Sequence, residues 1–171
     1  MKEKIIVLAL VSAGFTASAM AADTTVINIT ANIVASPCVV NTTQLNIDLK
    51  DIQASTLATA GATSGWSDPQ KISLINCPAT TSSVIATFTG DPATNGDTNG
   101  YANEGTGNDS SISVQLADDN ATPNYLSNGK TSEVAVVNNA ADFTVKARLY
   151  TSGSAKPGLV ASHVNVGFEY K

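Results

Sequence analysis

Histidine, tryptophan, cysteine and methionine are nearly absent from this chain. Its 171 residues include one His, one Trp, two Cys and two Met, and each scarcity closes off a class of function. A single histidine, His163, excludes a multi-histidine metal site and leaves a serine triad only one base to use. Two cysteines do not complete a zinc site without further ligands. Lys and Arg total 9 against 14 Asp and Glu, with no basic cluster, so nucleic acid is excluded as a partner because its phosphates need clustered cations. Apolar stripes at three- and four-residue spacing, the mark of amphipathic helices, are missing too. No apolar run reaches the roughly 20 residues that cross a bilayer.

What is present begins with an export signature. Lys2 and Lys4 precede an apolar stretch from Ile5 to Phe15, followed by the small-residue site Ala19-Met20-Ala21, which reads as a signal peptide over residues 1–21. Its removal takes both methionines and leaves 7 basic against 13 acidic residues. The remainder suffices for one domain. It is rich in Thr, Ser, Asn, Ala and Val, a composition suited to strands joined by polar loops. In an exported chain the pair Cys38 and Cys77 is expected to form a disulfide.

Seven short alternating runs follow the signal. They centre on Leu45, Ile47 and Leu49; Ile72 and Leu74; Val84, Ala86 and Phe88; Ile112, Val114 and Leu116; Val134 and Val136; Phe143, Val145, Ala147 and Leu149; and the last fourteen residues. Short strands with Gly, Asn and Pro between them predict an antiparallel sandwich. Residues 90–109 are crowded with Asp, Asn and Gly and invite a calcium-loop reading. That template fails, because from Asp91 its third position is Ala93 and its twelfth is Ala102. A solvated loop is expected there, and no metal or cofactor.

Two segments are one-sided. In residues 158–171, Val160, Val164, Val166, Phe168 and Tyr170 share a face whose one polar member is Ser162, while His163 lies on the opposite face. Unpaired edges of this kind invite another strand. Residues 22–34 form the second, with Thr25, Ile27, Ile29, Ala31 and Ile33 on one face. Taken alone, that segment reads equally well as the first strand of the sandwich or as a strand offered to another molecule.

Several stretches carry a family resemblance. They include Ser36-Pro37-Cys38 after the amino-terminal alternation, Gly65-Trp66-Ser67-Asp68, Leu74-Ile75-Asn76-Cys77-Pro78 and Ala86-Thr87-Phe88-Thr89-Gly90. Further matches are Gly100-Tyr101-Ala102-Asn103-Glu104-Gly105-Thr106 and Val114-Gln115-Leu116-Ala117-Asp118-Asp119, and Gly158 stands fourteenth from the carboxyl end with Tyr170 penultimate. In these the chain resembles a chaperone–usher pilus subunit, most nearly a minor subunit or tip adaptor of type 1-like fimbriae.

The resemblance implies an incomplete immunoglobulin-like sandwich: a six-stranded pilin domain over residues 35–171 that lacks its final strand, preceded by a donor-strand extension over residues 22–34. Thr25, Ile27, Ile29, Ala31 and Ile33 would enter a neighbouring subunit. Gly158, Val160, Val164, Val166, Phe168, Tyr170 and Lys171 would border the acceptor groove and be recognised by a periplasmic chaperone, with the Lys171 carboxylate as the anchor. An outer-membrane usher and neighbouring subunits complete the implied partners, on a path through the periplasm to a surface fimbrium. Ala31 departs from the family, which usually has glycine there. Neither catalysis nor a small-molecule substrate is implied: Asp118 and Asp119 read as a turn. A single-domain sugar-binding adhesin is the alternative, with Trp66 and Tyr101 as possible stacking surfaces.

Overall fold

The computed structural model describes residues 25–106 and 110–171. The expected signal peptide lies outside them, as do the first three residues of the extension. The chain divides into two units, one ending at Asn32 and the other comprising Ile33–Lys171. In the first, residues 25–32 form no strand and are exposed.

The second unit is all-β apart from one 3-10 turn, Ala54–Leu57. Its strands are β1 (Val39–Val40), β2 (Gln70–Ile75), β3 (Ser83–Thr89), β4 (Gly100–Ala102), β5 (Ile112–Asp118), β6 (Thr131–Ala135), β7 (Ala141–Thr151) and β8 (Asn165–Tyr170). β1 and β4 are fragments of two and three residues, which leaves six strands of five residues or more. One sheet has the order β1-β2-β7-β5-β4 and the other β6-β3-β8, and every pairing is antiparallel.

Alternation explains both sheets. Phe143, Val145, Ala147 and Leu149 on β7 and Val84, Ala86 and Phe88 on β3 turn the same way at every second position and are buried. With Ile72, Leu74 and Leu116 the β3 and β7 sets, except Leu149, form one apolar cluster between the sheets, to which Phe168 adds a ring 5.9 Å from that of Phe143. Chain reversal from β6 to β7 falls on Asn138 and Asn139, both at positive φ, a conformation that asparagine tolerates better than most residues.

Three expectations need correction. The terminal run was expected to be one strand over residues 158–171, but only Asn165–Tyr170 joins a ladder. The run through Leu45, Ile47 and Leu49 alternates between half-buried and exposed positions as a strand does, yet forms none. The stretch over residues 90–109 is more than a solvated loop, since it contains β4 and places Tyr101 and Asp97 inside. Asp97 accepts hydrogen bonds from Ser113 Oγ (2.7 Å) and Gln115 Nε2 (3.0 Å), which anchors the loop to β5. Among the described residues no cluster suited to a metal ion occurs.

Cys38 and Cys77 are joined, with Cα atoms 4.2 Å apart. The bond flanks the short β1–β2 pairing, in which Val39 faces Ile75 and Val40 faces Leu74. Asn139 holds the Cys77 end by accepting from its backbone N–H through its carbonyl (2.9 Å) and donating from Nδ2 to its carbonyl (2.8 Å). Asn41 and Thr42 extend the hold by donating to the Ser73 carbonyl, and Thr81 Oγ1 donates to the Ser36 carbonyl on the other side, so the disulfide adds a covalent tie to an end already hydrogen-bonded. Replacing both cysteines by alanine is expected to lower unfolding free energy by about 4 kcal/mol, the chain-entropy value for a loop of about 40 residues. Denaturant unfolding of the two forms checks this.

Candidate functional site

A groove of about 1350 Å³ runs along the sandwich between two segments that both want a neighbour. One wall is the terminal segment. Gly158, Val160, Val164, Val166 and Phe168 line it, with the valines and Phe168 half-buried and Gly158 exposed. The other wall is the run of Leu45, Ile47 and Leu49. Among the described residues, no backbone hydrogen bond joins residues 43–52 to another element; the last one before them is donated by Thr42 to the Ser73 carbonyl. The floor is apolar and includes Phe88, Tyr101, Leu116 and Val145.

Backbone direction follows from the ladder. Lys171 exchanges hydrogen bonds with Ser83, so odd-numbered residues of the terminal strand direct N–H and C=O toward β3, and even-numbered ones direct theirs the other way. Among the described residues β8 has β3 as its only sheet neighbour. The residues whose side chains line the groove are therefore the ones whose backbone groups face it.

Above Val164 the terminal segment leaves β3 and is fastened instead to residues 103–105. Glu104 N–H donates to the Ala161 carbonyl (2.8 Å), Ala161 N–H donates to Asn103 Oδ1 (3.1 Å), and His163 Nδ1 lies 2.8 Å from Glu104 Oε2. Gly105 is required here, because a methyl at that position would overlap the Leu159 carbonyl. Sequence reasoning read Leu45, Ile47 and Leu49 as an ordinary strand and did not assign this loop a role. The alternation of the first was visible, but its lack of a partner was not.

The other expected groove residues are placed differently. Tyr170 packs against the main apolar cluster and pairs with Val84, outside the groove lining. An oxygen of the Lys171 carboxylate, the expected chaperone anchor, accepts from the N–H groups of Ser82 (2.6 Å) and Ser83 (3.3 Å) within the chain. Ile27, Ile29 and Ile33 are 77%, 88% and 100% exposed.

Enzymatic and sugar-binding candidates take structural roles. His163 has an 81% exposed side chain and meets one carboxylate. Tyr101 is fully buried; its hydroxyl donates to the Leu126 carbonyl at 2.6 Å, and burial pushes its phenol up to about 12. Trp66 carries the Arg148 guanidinium 4.4 Å from its ring centre and Lys146 Nζ at 5.5 Å. Arg148 is itself held by Tyr125 Oη (2.6 Å) and Gln115 Oε1 (2.8 Å). Asp118 closes a turn, accepting from the backbone and side chain of both Asn120 and Asn124.

A match to the family described as fimbrial protein extends over residues 27–171, which takes in both groove walls and the whole sandwich. The chain belongs to the fimbrial protein family. Among fimbrial relatives, the Escherichia coli K12 protein FimG is 36% identical, covering 96% of this chain and 95% of its own length. The fimbrial-like protein YdeR of the same strain is 35% identical over 98% and 97%. The S-fimbrial adhesin protein SfaS from E. coli O6:K15:H31 is 34% identical over 90% and 88%. The P pilus rod subunit PapA has the same fold, with a TM-score of 0.63 at 18% identity over 80% of this chain and all of that one. A subunit in a chaperone–usher pilus structure gives 0.62 at 17% identity over 91% and 100%.

The Asp118 turn gives a pH signature. Partial burial raises its carboxyl, but the four hydrogen bonds from Asn124 and Asn120 outweigh burial and hold it below the ordinary carboxylate range. A group depressed in the folded state stabilises above its unfolded pKa and loses that contribution as pH falls through the folded one. Asp118→Ala is therefore expected to melt at a lower temperature than the parent at neutral pH, with the gap closing on acidification. Melting curves from about pH 7 down to about pH 2 test this.

Proposed function

We infer that this fimbrial chain is a structural subunit of a chaperone–usher fimbria, joined to its neighbours by strand exchange through the groove. The observation that carries this reading is an apolar groove, walled by the free edge of β8 and by the ladder-less Leu45–Leu49 run, in a chain whose exposed residues 25–33 alternate apolar and polar side chains. An inserted strand takes backbone hydrogen bonds from the even-numbered terminal residues and sinks alternate side chains toward the floor, which is strand addition. Burying Ile27, Ile29 and Ile33 in a neighbour contributes roughly 1.5–3 kcal/mol each before any ladder bond is counted.

Until a neighbour arrives, the groove needs a temporary occupant, and a periplasmic chaperone strand fills that role. Export through the periplasm, passage through an outer-membrane usher and residence in a surface fimbrium follow. The resemblance of the sequence motifs to those of minor subunits and tip adaptors favours such a position, one that aids adhesion. SfaS is named as an adhesin, which favours the sugar-binding alternative. Against it, the buried Tyr101 ring and the cation-covered Trp66 ring leave no open aromatic platform at either expected position.

Deleting residues 22–33 is expected to leave chaperone binding intact and to stop this subunit from joining the one whose groove it fills. Co-purification with the chaperone and a fibre-assembly assay read the two effects separately, and loss of chaperone binding in that variant counts against the division of roles. Replacing Phe168 and Tyr170 together by Asp is expected to abolish recovery of the chaperone complex. A normal yield would exclude the terminal strand as the docking edge.

A further inference from the structure

We propose that Gly90 and Gly105 are positioning residues that gauge the groove: having no side chain, they let the terminal segment stand back far enough for a strand to enter. The inference rests on the strand-acceptor reading above and names what sets the width of that site.

These two glycines differ from the others. At Gly61, Gly65, Gly96, Gly129, Gly153 and Gly167 an added methyl would meet nothing within 4 Å, and at Gly100 it would meet the side chains of Asp97 and Ser113. At Gly90 and Gly105 it would meet the backbone of the terminal segment. A methyl on Gly90 would lie 2.6 Å from the His163 carbonyl oxygen, and one on Gly105 would overlap the Leu159 carbonyl and stand 3.0 Å from the Ala161 nitrogen. Neither glycine has a positive φ, so close approach is what calls for glycine at both places.

All of these contacts fall on the side away from the opening. Leu159, Ala161 and His163 are odd-numbered, and their backbone groups turn toward the Asn103–Gly105 loop and the end of β3. The supports on that side are themselves held. Gly90 N–H donates to Asn128 Oδ1 (3.2 Å), and its missing methyl would also stand 3.0 Å from the Tyr101 ring. Gly105 N–H donates to Asn103 Oδ1 (2.9 Å), the oxygen that also accepts from Ala161, while Glu104 holds both the Ala161 carbonyl and His163. The far wall has no such backing, because residues 43–52 make no backbone hydrogen bond to another element among the described residues. A methyl at either glycine is therefore relieved by moving the terminal segment into the groove. An inserted strand sits about 4.8 Å from its neighbour, so the groove has little width to give up.

The test uses the full mature chain and a labelled synthetic peptide of residues 22–34, with retention followed by competition. Gly90→Ala and Gly105→Ala are each expected to fold and to retain the peptide roughly tenfold less well than wild type, the scale of overpacking one close contact. Gly167→Ala, in the same segment but with open space around it, is expected to retain it as wild type does. Leu49 separates a gauge from ordinary destabilisation. It lies on the facing wall and packs, like Val160, on the smaller apolar cluster of Leu57, Ile112 and Leu149. Leu49→Ala alone is expected to lower retention through a lost contact. In the Gly105→Ala chain the same change is expected to raise retention by returning width, although the double variant melts lowest. Additive losses from Gly105→Ala and Leu49→Ala, wild-type retention by either Gly90→Ala or Gly105→Ala, or recovery of those two variants only as unfolded chain would each overturn the proposal. If the wild-type chain retains no peptide, the strand-acceptor reading itself fails and takes this one with it.

Discussion

Every feature of the groove depends on one constraint: a backbone amide or carbonyl turned toward an apolar interior must find a partner. Along the terminal segment the even-numbered residues turn both their side chains and their backbone groups toward the same opening. Water satisfies the backbone but not Val164, Val166 or Phe168, and an apolar surface satisfies those side chains but not the backbone. A strand answers both demands at once. The proposed acceptor site therefore suits a class of occupant, extended and alternating, before any individual side chain is considered.

The rest of the domain holds that opening in shape without filling it. β3 and β7 supply the dense part of the core, so the fold has a packed half that does not involve the groove. The Cys38–Cys77 bond and Asn139 fix where the chain departs β1 and begins the Leu45–Leu49 wall. On the opposite side the Asn103–Gly105 loop holds the segment above Val164 at the width set by sheet contacts below it. Two walls with separate supports keep their separation even though nothing bridges them.

The sequence made the sandwich legible because alternation at β3 and β7 is carried by apolar residues, and those positions are the buried ones, whereas β5 buries Ser113, Gln115 and Ala117 as well as Ile112 and Leu116. It made the terminal face legible for the same reason. It did not show that strand pairing begins only at Asn165, because alternation records which side chains face inward and is blind to whether a ladder exists. The Leu45–Leu49 run misled in the same way. β4 was hidden by composition: Gly100 and the Asn and Asp residues around it signal a loop, whereas Tyr101 and Asp97 are drawn inside by tertiary contacts with Leu126, Ser113 and Gln115. The role of Gly105 depends on the distance to Leu159, a residue far along the chain, which no local pattern encodes.

The position of the disulfide has a mechanical consequence. Tension applied through residues 25–33 travels along the backbone to Cys38, five residues beyond Ile33, and there meets a covalent link to Cys77 at the end of β2. The pull passes into the body of the sandwich without first loading the two-residue β1 ladder, so the short edge strand is spared the peeling force that would open it one bond at a time. In the proposed fibre the load then falls on the non-covalent seam between one molecule and the next, where sliding has to break its bonds together.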